Sequence, residues 1–327
     1  MPIVAGQGDT VGFAHAVRGR LELEESREFS THRDHLMAVA YRMLGSRAEA
    51  EDAVQEAWLR YASADADAIA DLRGWLTTVT ARICLDVLRS ARVRREAYVG
   101  PWLPEPVVTR LPGTGLDPAD EVAQAEEVSY ALLVVLERLR PEQRVAFVLH
   151  DVFAVPFDEI ATVLGTNPAA ARQLAARARK AVADGGVRER PARAEQRRVL
   201  EAFLAAARQG DLDGLVAVLA PDVVATGDGG GVAPAGRVPI EGAVRVARFL
   251  LGLFRQVDRF QVVVEPVLIN DDLGLLAEGV FPDGARHRVV MSFVVADGRI
   301  QGVYNQLNPA KLDGVPHPDP ARNLLVP

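Results

Sequence analysis

PFDEIATVLGTNPAAARQLAARARK, residues 156–180, reads as two helices joined by a tight turn. Ala161 falls where the helices cross, Gly165 in the turn, and Ala171 and Leu174 inside the second helix, as a helix-turn-helix requires. Asn167 supplies an N-cap and Pro168 a first helical residue, so the second helix has a defined start. Ala171, Leu174, Ala178 and Val182 form its expected buried stripe. Arg172, Gln173, Ala176, Arg177 and Lys180 are left facing out, and Arg and Gln in such a helix reach base edges in the major groove. An ordinary amphipathic pair with a solvated basic face would show the same pattern, so the rest of the chain decides.

At 327 residues, two or three domains are expected. With 49% hydrophobic and 25% charged residues, the composition is globular. No apolar run reaches membrane-span length, and the N-terminal MPIVAGQGDTVGF lacks the basic-then-apolar order of a signal peptide. A single cysteine, Cys84, excludes an internal disulfide framework and fits a reducing cytoplasm. The six histidines show no zinc spacing, and neither a Walker loop nor a GxGxxG fingerprint is present, so no metal or cofactor is expected. A net charge of −7 argues against a whole-surface nucleic-acid binder but leaves room for local basic patches. Such patches exist at Arg89, Arg92, Arg94 and Arg95, and again from Arg172 to Arg198.

Residues 1–26 read as a flexible arm, and helical periodicity begins near Phe29. In AEAEDAVQEAWLRYA, Val54, Ala57, Trp58 and Tyr61 recur at i, i+3, i+4, i+7 and form a buried stripe. Asp52, Gln55, Glu56 and Leu59 repeat that spacing two residues earlier, on the opposite face, for solvent or a protein partner. In the next helix, over 71–96, Trp75, Leu76, Val79, Ile83, Val87 and Leu88 give the core face. Arg82, Asp86, Arg89 and the run to Arg95 lie elsewhere, suited to phosphates and unstacked bases, or to the helix macrodipole.

In order and spacing, EDAVQEAWLR, WLTTVTARICLDVLRSARVRRE and the helix-turn-helix resemble regions two and four of an extracytoplasmic-function (ECF) sigma factor. The resemblance implies that Asp52, Gln55, Glu56 and Leu59 dock on the clamp coiled coil of the polymerase β′ subunit, with region four near the β flap. It implies that Trp75, Arg82, Asp86, Arg89, Arg92, Arg94 and Arg95 serve the −10 element. Arg172, Gln173 and Arg177 would then meet the −35 element, with Arg179 and Lys180 on phosphates or solvent. Family members often carry an asparagine a few residues before the equivalent of Asp86, where this chain reads Thr80, Ala81, Arg82.

Residues 99–121 form a Pro-rich linker holding Trp102-Leu103-Pro104-Glu105-Pro106. Region four follows over 122–185, with Val128, Ala131, Leu132, Val135, Leu136 and Leu139 as one apolar face, and Pro141 opening a helix with Val145, Val148 and Leu149. A basic hinge, 186–196, marks a boundary. Two helices, a strand at Val223–Thr226, a glycine-rich loop, a helix near 240–256 and four strand-like runs follow, the last punctuated by Asp271-Asp272, Asp283-Gly284 and Asp297-Gly298. The fold class is therefore two all-α domains followed by an α+β domain, 197–315, with a curved antiparallel sheet, and a tail over 316–327.

This last third resembles a SnoaL-like domain, and the combination resembles the ECF subgroup that carries such an extension. Three signatures of that subgroup carry the likeness: Trp102 to Pro106; Asp228-Gly229-Gly230-Gly231, followed by Val232 in place of a basic residue; and Asn308-Pro309-Ala310-Lys311-Leu312, with Ala310 in place of an acidic one. SnoaL-like domains include cyclases, but Asp222, Glu265, His287 and Asn305 form no placeable acid–base pair, and no catalytic residue is expected. The glycines more simply permit positive φ and close approach of another segment. The resemblance implies a cytoplasmic sigma factor that binds core RNA polymerase and promoter DNA. Its own extension, packed on the sigma regions or the linker, would modulate it without a separate anti-sigma factor. A ligand-sensing or catalytic extension, with a small molecule in its pocket, stays open as an alternative, as does a DNA-binding repressor without polymerase contact.

Overall fold

The computed structural model describes residues 9–65, 68–96, 98–112, 128–185, 190–257, 259–281 and 283–325. Its helices are α1 (Asp9–Leu44), α2 (Arg47–Ala62), α3 (Leu72–Glu96), α4 (Tyr130–Leu136), α5 (Pro141–Phe147), α6 (Phe157–Leu164), α7 (Pro168–Asp184), α8 (Arg193–Gln209), α9 (Leu212–Val218) and α10 (Ala243–Phe254). Its strands are β1 (Val108–Arg110), β2 (Leu219–Asp228), β3 (Ile240–Glu241), β4 (Val263–Ile269), β5 (Asp272–Val280), β6 (Arg286–Ala296) and β7 (Arg299–Gln306). The chain divides into two compact units: Met1–Ser90 with Arg140–Ala178, and Ala91–Leu139 with Arg179–Pro327. Among the described residues no helix is long and apolar enough to cross a membrane, and no group of three or more His, Cys, Asp or Glu side chains is placed to hold a metal ion.

In the first unit, α1 is already helical from Asp9, so most of the segment read as an arm belongs to the first helix, and residues 1–8 lie outside the described ones. Ser46 caps α2, its Oγ accepting from Glu49 N at 3.3 Å. Val54, Ala57 and Tyr61 are buried on one face of α2, and Trp58 packs 5.0 Å from the Phe29 ring. The helix-turn-helix is α6, Gly165 in the left-handed region at φ 64°, and α7, whose Asn167 Oδ1 accepts from Ala170 N at 2.9 Å. The buried stripe of α7 is Ala171, Ala175 and Ala178, whereas Leu174 and Val182 are half-buried. Three alanines at i, i+4, i+7 let the helices approach closely, and the longer side chains sit at the margin.

The second unit is built on an open seven-stranded sheet, ordered β1-β4-β5-β6-β7-β2-β3. Strands β4 to β7 form an antiparallel meander. Two of its turns are two-residue loops with both residues at positive φ, Asn270-Asp271 and Asp297-Gly298, which match the right-handed strand twist. Two features depart from the expected sheet. Strand β2 lies parallel to β7, and it runs through Pro221 from Leu219, with a register shift that accommodates the proline. The linker contributes β1, paired antiparallel with β4 through Val108 and Ile269.

The sheet buries both faces. Under α8, α9 and α10, Phe203, Val246 and Leu250 pack on Ala225, Leu275, Phe293 and Val303. On the other face Leu103, Tyr130, Val134, Leu312 and Val315 pack on Val267, Ile269, Leu276 and Val290. Burial on both sides explains why these strands read as nearly continuous apolar runs rather than as alternation. It also places α4, expected with the rest of region four, in the sheet unit: Tyr130, Leu133 and Val134 are buried, while Ala131, Leu132 and Leu139 of the expected apolar face are only half-buried. Residues 113–127 and 186–189, within the expected linker, region-four start and hinge, lie outside the described residues.

Candidate functional site

The α2 stripe is presented as the helical period requires. Asp52, Gln55 and Leu59 are exposed, Leu59 by 56%, and Glu56 is half-buried and paired with Arg60 at 3.0 Å.

On α3, Trp75 is half-buried, its ring 6.2 Å from Tyr61, and Arg82, Asp86 and Arg89 are exposed. The two arginines are engaged with the helices that follow the linker. Arg82 Nη2 donates to Thr162 O at 3.1 Å, and Arg89 Nη2 lies 3.0 Å from Glu142 Oε1 and Nη1 4.0 Å from Asp86. Arg92, Arg94 and Arg95 occupy the last turns of α3, and their side chains lie outside the described residues. Arg172, Gln173, Arg177, Arg179 and Lys180 are all exposed on α7, and the Arg172 guanidinium sits 5.3 Å over the Phe157 ring.

In the second unit the linker, the glycine loop and the chain after β7 meet at one carboxylate. Asp228, at the end of β2, is wholly buried. Its Oδ1 accepts from Tyr98 Oη at 2.5 Å and from Gly230 N at 3.0 Å. Its Oδ2 accepts from Leu103 N at 2.9 Å, from Gln306 Nε2 at 3.4 Å and from Lys311 Nζ at 2.7 Å. Lys311, its side chain 9% exposed, also donates to Leu103 O at 2.6 Å and places its ammonium 3.2 Å over the Trp102 ring centroid. Backbone donor and acceptor of Leu103 are thus both held, and its side chain is buried against Leu312 and Val315. Asn308 Nδ2 donates to Tyr98 Oη at 2.9 Å, and Gln306 Nε2 reaches Pro104 O at 3.2 Å. Burial and the hydrogen bond to Asp228 push the Tyr98 phenol well above its usual value, so it remains a donor.

The glycines follow from this packing. Gly230 has φ +63°, and a Cβ there would lie 2.5 Å from Asn308 Cγ. A Cβ on Gly229 would collide with the Ala233 carbonyl, and one on Gly231 would press on Val99. Pro104 and Pro106 are buried, Glu105 half-buried and Pro309 exposed. Val232 and Ala310, the two departures from the subgroup signatures, are both exposed, and Ala310 meets the cluster through its backbone, its N–H donating to Asn308 Oδ1 at 3.1 Å.

Tyr98, Tyr130 and Gln306 belong to this cluster and were missed in the sequence. Tyr130 Oη donates to Pro104 O at 2.8 Å. The available signal was proximity: Tyr98 lies four residues before Trp102, and Gln306 two before Asn308.

The polar residues weighed for catalysis do not converge. Asp222 is exposed. Glu265 is buried beside Arg110 and Arg322, each at 3.3 Å, and accepts from Asp319 N, which ties the tail to the linker strand. His287, at the start of β6, pairs with Asp283 of the β5–β6 loop at 2.6 Å, and that hydrogen bond holds the Asp283 carboxyl below its usual range. Asn305 alone of the four lines the cavity under α10.

The family models that match are Sigma-70 region 2 over residues 29–94, Sigma-70 region 4 over residues 129–182 and a SnoaL-like domain over residues 200–303. The chain is 49% identical over 297 residues to the ECF RNA polymerase sigma factor SigJ of Mycobacterium tuberculosis, covering 89% of this chain and 94% of that one. It is 42% identical over 202 residues to the probable ECF sigma factor SigI of the same organism, covering 61% and 68%. The crystal structure of SigJ superposes with a TM-score of 0.70 at 45% identity, covering 89% of this chain and 99% of that one.

Proposed function

The chain belongs to the extracytoplasmic-function RNA polymerase sigma factors, and on that premise we propose how its surfaces divide the work of directing transcription initiation. The exposed stripe of Asp52, Gln55, Glu56 and Leu59 is the polymerase-docking face. Trp75, Asp86 and the arginines from Arg82 to Arg95 serve the −10 element, and Arg172, Gln173 and Arg177 the −35 element, with Arg179 and Lys180 on phosphates. Because Arg82 and Arg89 already bond Thr162 and Glu142, promoter DNA must displace these contacts before it is held. Such exchange of protein partners for phosphates makes binding steeply salt-dependent.

The C-terminal domain acts as a regulator in cis, and no catalysis is assigned to it. The observation that carries this reading is the closure of Asp228 and Lys311 around the backbone of Leu103. The linker joins the −10 and −35 segments, so what fixes the linker limits how those segments separate. The domain thereby exerts control that a separate anti-sigma factor would otherwise supply.

Co-purification with core RNA polymerase followed by run-off transcription tests the reading. Retention on core polymerase, lost in Leu59→Glu, supports it. DNA binding without polymerase retention would instead identify a repressor.

A further inference from the structure

Strand β7 separates two environments. Val303 belongs to the core under the helices, and Asn305 and Leu307 line a cavity on that side. Tyr304 packs on the cluster around Leu103, and Gln306 bonds the Leu103 and Pro104 carbonyls. We propose that the cavity binds a neutral, largely apolar organic molecule whose single hydroxyl or N–H donates to Asn305 Oδ1, and that occupancy is transmitted through β7 to the clamped linker.

The cavity measures about 330 Å³, within the ~300–1,000 Å³ range of small-molecule sites. Phe249, Phe254, Phe260, Leu275 and Met291 are among its walls. Its lining also includes two exposed apolar side chains, Val238 (75% exposed) and Leu253, of the kind an amphiphilic or apolar ligand would cover. Asn305 is only 5% exposed, yet its Oδ1 has no hydrogen-bond partner. A buried acceptor left unmade is costly, so it marks where a ligand donor belongs. Two other polar side chains of the lining, Gln256 and Glu278, are occupied. Gln256 Nε2 donates to Gly252 O, and Glu278 pairs with Arg286, Arg288 and His317. Burial raises the Glu278 carboxyl, but the His317 and Arg288 bonds outweigh it and hold it below its usual range, as an ionised partner of those groups. Among the described residues of the lining no unpaired charge is left to receive an ionic ligand, which makes a neutral one the match.

The transmission half rests on the regulatory reading above. Asn305 adjoins Gln306 in the strand, and Leu307 N donates to Asp228 O at 2.7 Å, so the cavity wall and the clamp share one backbone.

The test uses the full chain and two fluorophores of similar shape: phenylnaphthylamine, which is neutral and carries an N–H, and phenylnaphthalene, which lacks it. Saturable one-to-one binding of phenylnaphthylamine is expected, weakened about tenfold in Asn305→Leu, the scale of one neutral hydrogen bond. Phenylnaphthalene should bind that variant no worse than wild type. Ala277→Phe, which fills the cavity, should abolish both signals while circular dichroism stays native. Absence of saturable binding, or equal weakening of both probes by Asn305→Leu, overturns the site. Saturating phenylnaphthylamine should change amide exchange across Trp102–Glu105 several-fold, and binding without that change overturns the transmission. Probe binding reads the cavity whether or not the clamp governs transcription, and transcription by clamp variants reads the clamp with no ligand, so the two readings fail separately.

Discussion

Replacing Lys311 by methionine keeps the length of the side chain and removes its charge. The ammonium is 2.7 Å from Asp228 Oδ2, 2.6 Å from Leu103 O and 3.2 Å from the Trp102 ring centroid, in a pocket where Asp228 has no exposure. Removing one partner of a buried ion pair costs ~3–5 kcal/mol, because the remaining charge is left uncompensated. Asp228 retains hydrogen bonds from Tyr98, Gly230 and Leu103, which places the loss at the lower end, ~3 kcal/mol. Because Lys311 holds the linker rather than the sheet, that loss falls on linker docking. At about 1.4 kcal/mol per decade, opening becomes roughly 100-fold more favourable. Amide exchange reads it directly, since Leu103 N–H donates to Asp228 itself. Leu103 should exchange roughly 100-fold faster in Lys311→Met, while amides in the β5–β6 ladder change far less. Unchanged exchange at Leu103, or an equal acceleration across the whole sheet, would refute a linker-specific role.

Three further perturbations separate the parts. Gly230→Ala places a Cβ at φ +63° and 2.5 Å from Asn308 Cγ, whereas Gly284→Ala at φ +80° meets nothing within 4 Å. Both carry backbone strain of ~1–3 kcal/mol, and Gly230→Ala should lower Tm further, so equal shifts would show that the glycine loop is not packed on the tail. Burial pushes the Asp272 carboxyl up to about 6, against Arg190 and the Gln196 hydrogen bond. A carboxyl raised in the folded state contributes stability below its unfolded value of ~3.9 and loses it as pH climbs through the folded value. The Tm of wild type relative to Asp272→Asn should therefore rise as pH falls from about 7.5 to about 5, and a constant difference contradicts the assignment. Leu59→Glu, at an exposed site, should leave Tm within about 1 °C while core-polymerase affinity drops at least tenfold, and retained affinity would remove α2 from the docking face.

What could be read in the sequence was local. Gly165, Asn167 and Pro168 set the turn of the helix-turn-helix by their own backbone preferences, and Asp297-Gly298 sets a hairpin in the same way, whereas the β4–β5 turn falls on Asn270-Asp271, one residue before the expected Asp271-Asp272. The α2 stripe followed from period alone. What could not be read depends on partners distant in the chain. The pairing of Val108 with Ile269 is set by a neighbour far along the sequence, and the prolines around β1 disguise it as irregular linker. The parallel pairing of β2 with β7 is equally non-local. Tyr130 and Val134 look like any helix core, and nothing local says that their core is the far face of a sheet. The clamp was visible as three short signatures and not as a bond, because Asp228 and Lys311 meet across 83 positions. Tyr98 and Gln306 entered only when the backbone brought them to the same carboxylate.

The most direct measurement is run-off transcription by core RNA polymerase reconstituted with wild type, Asp228→Asn or Lys311→Met, at matched occupancy of core. If the C-terminal domain restrains the sigma regions through the linker, both variants bind core as wild type does and yield several-fold more transcript from the same promoter. Transcript yields equal to wild type, from variants whose Leu103 amide is shown to exchange faster, would contradict control through the linker.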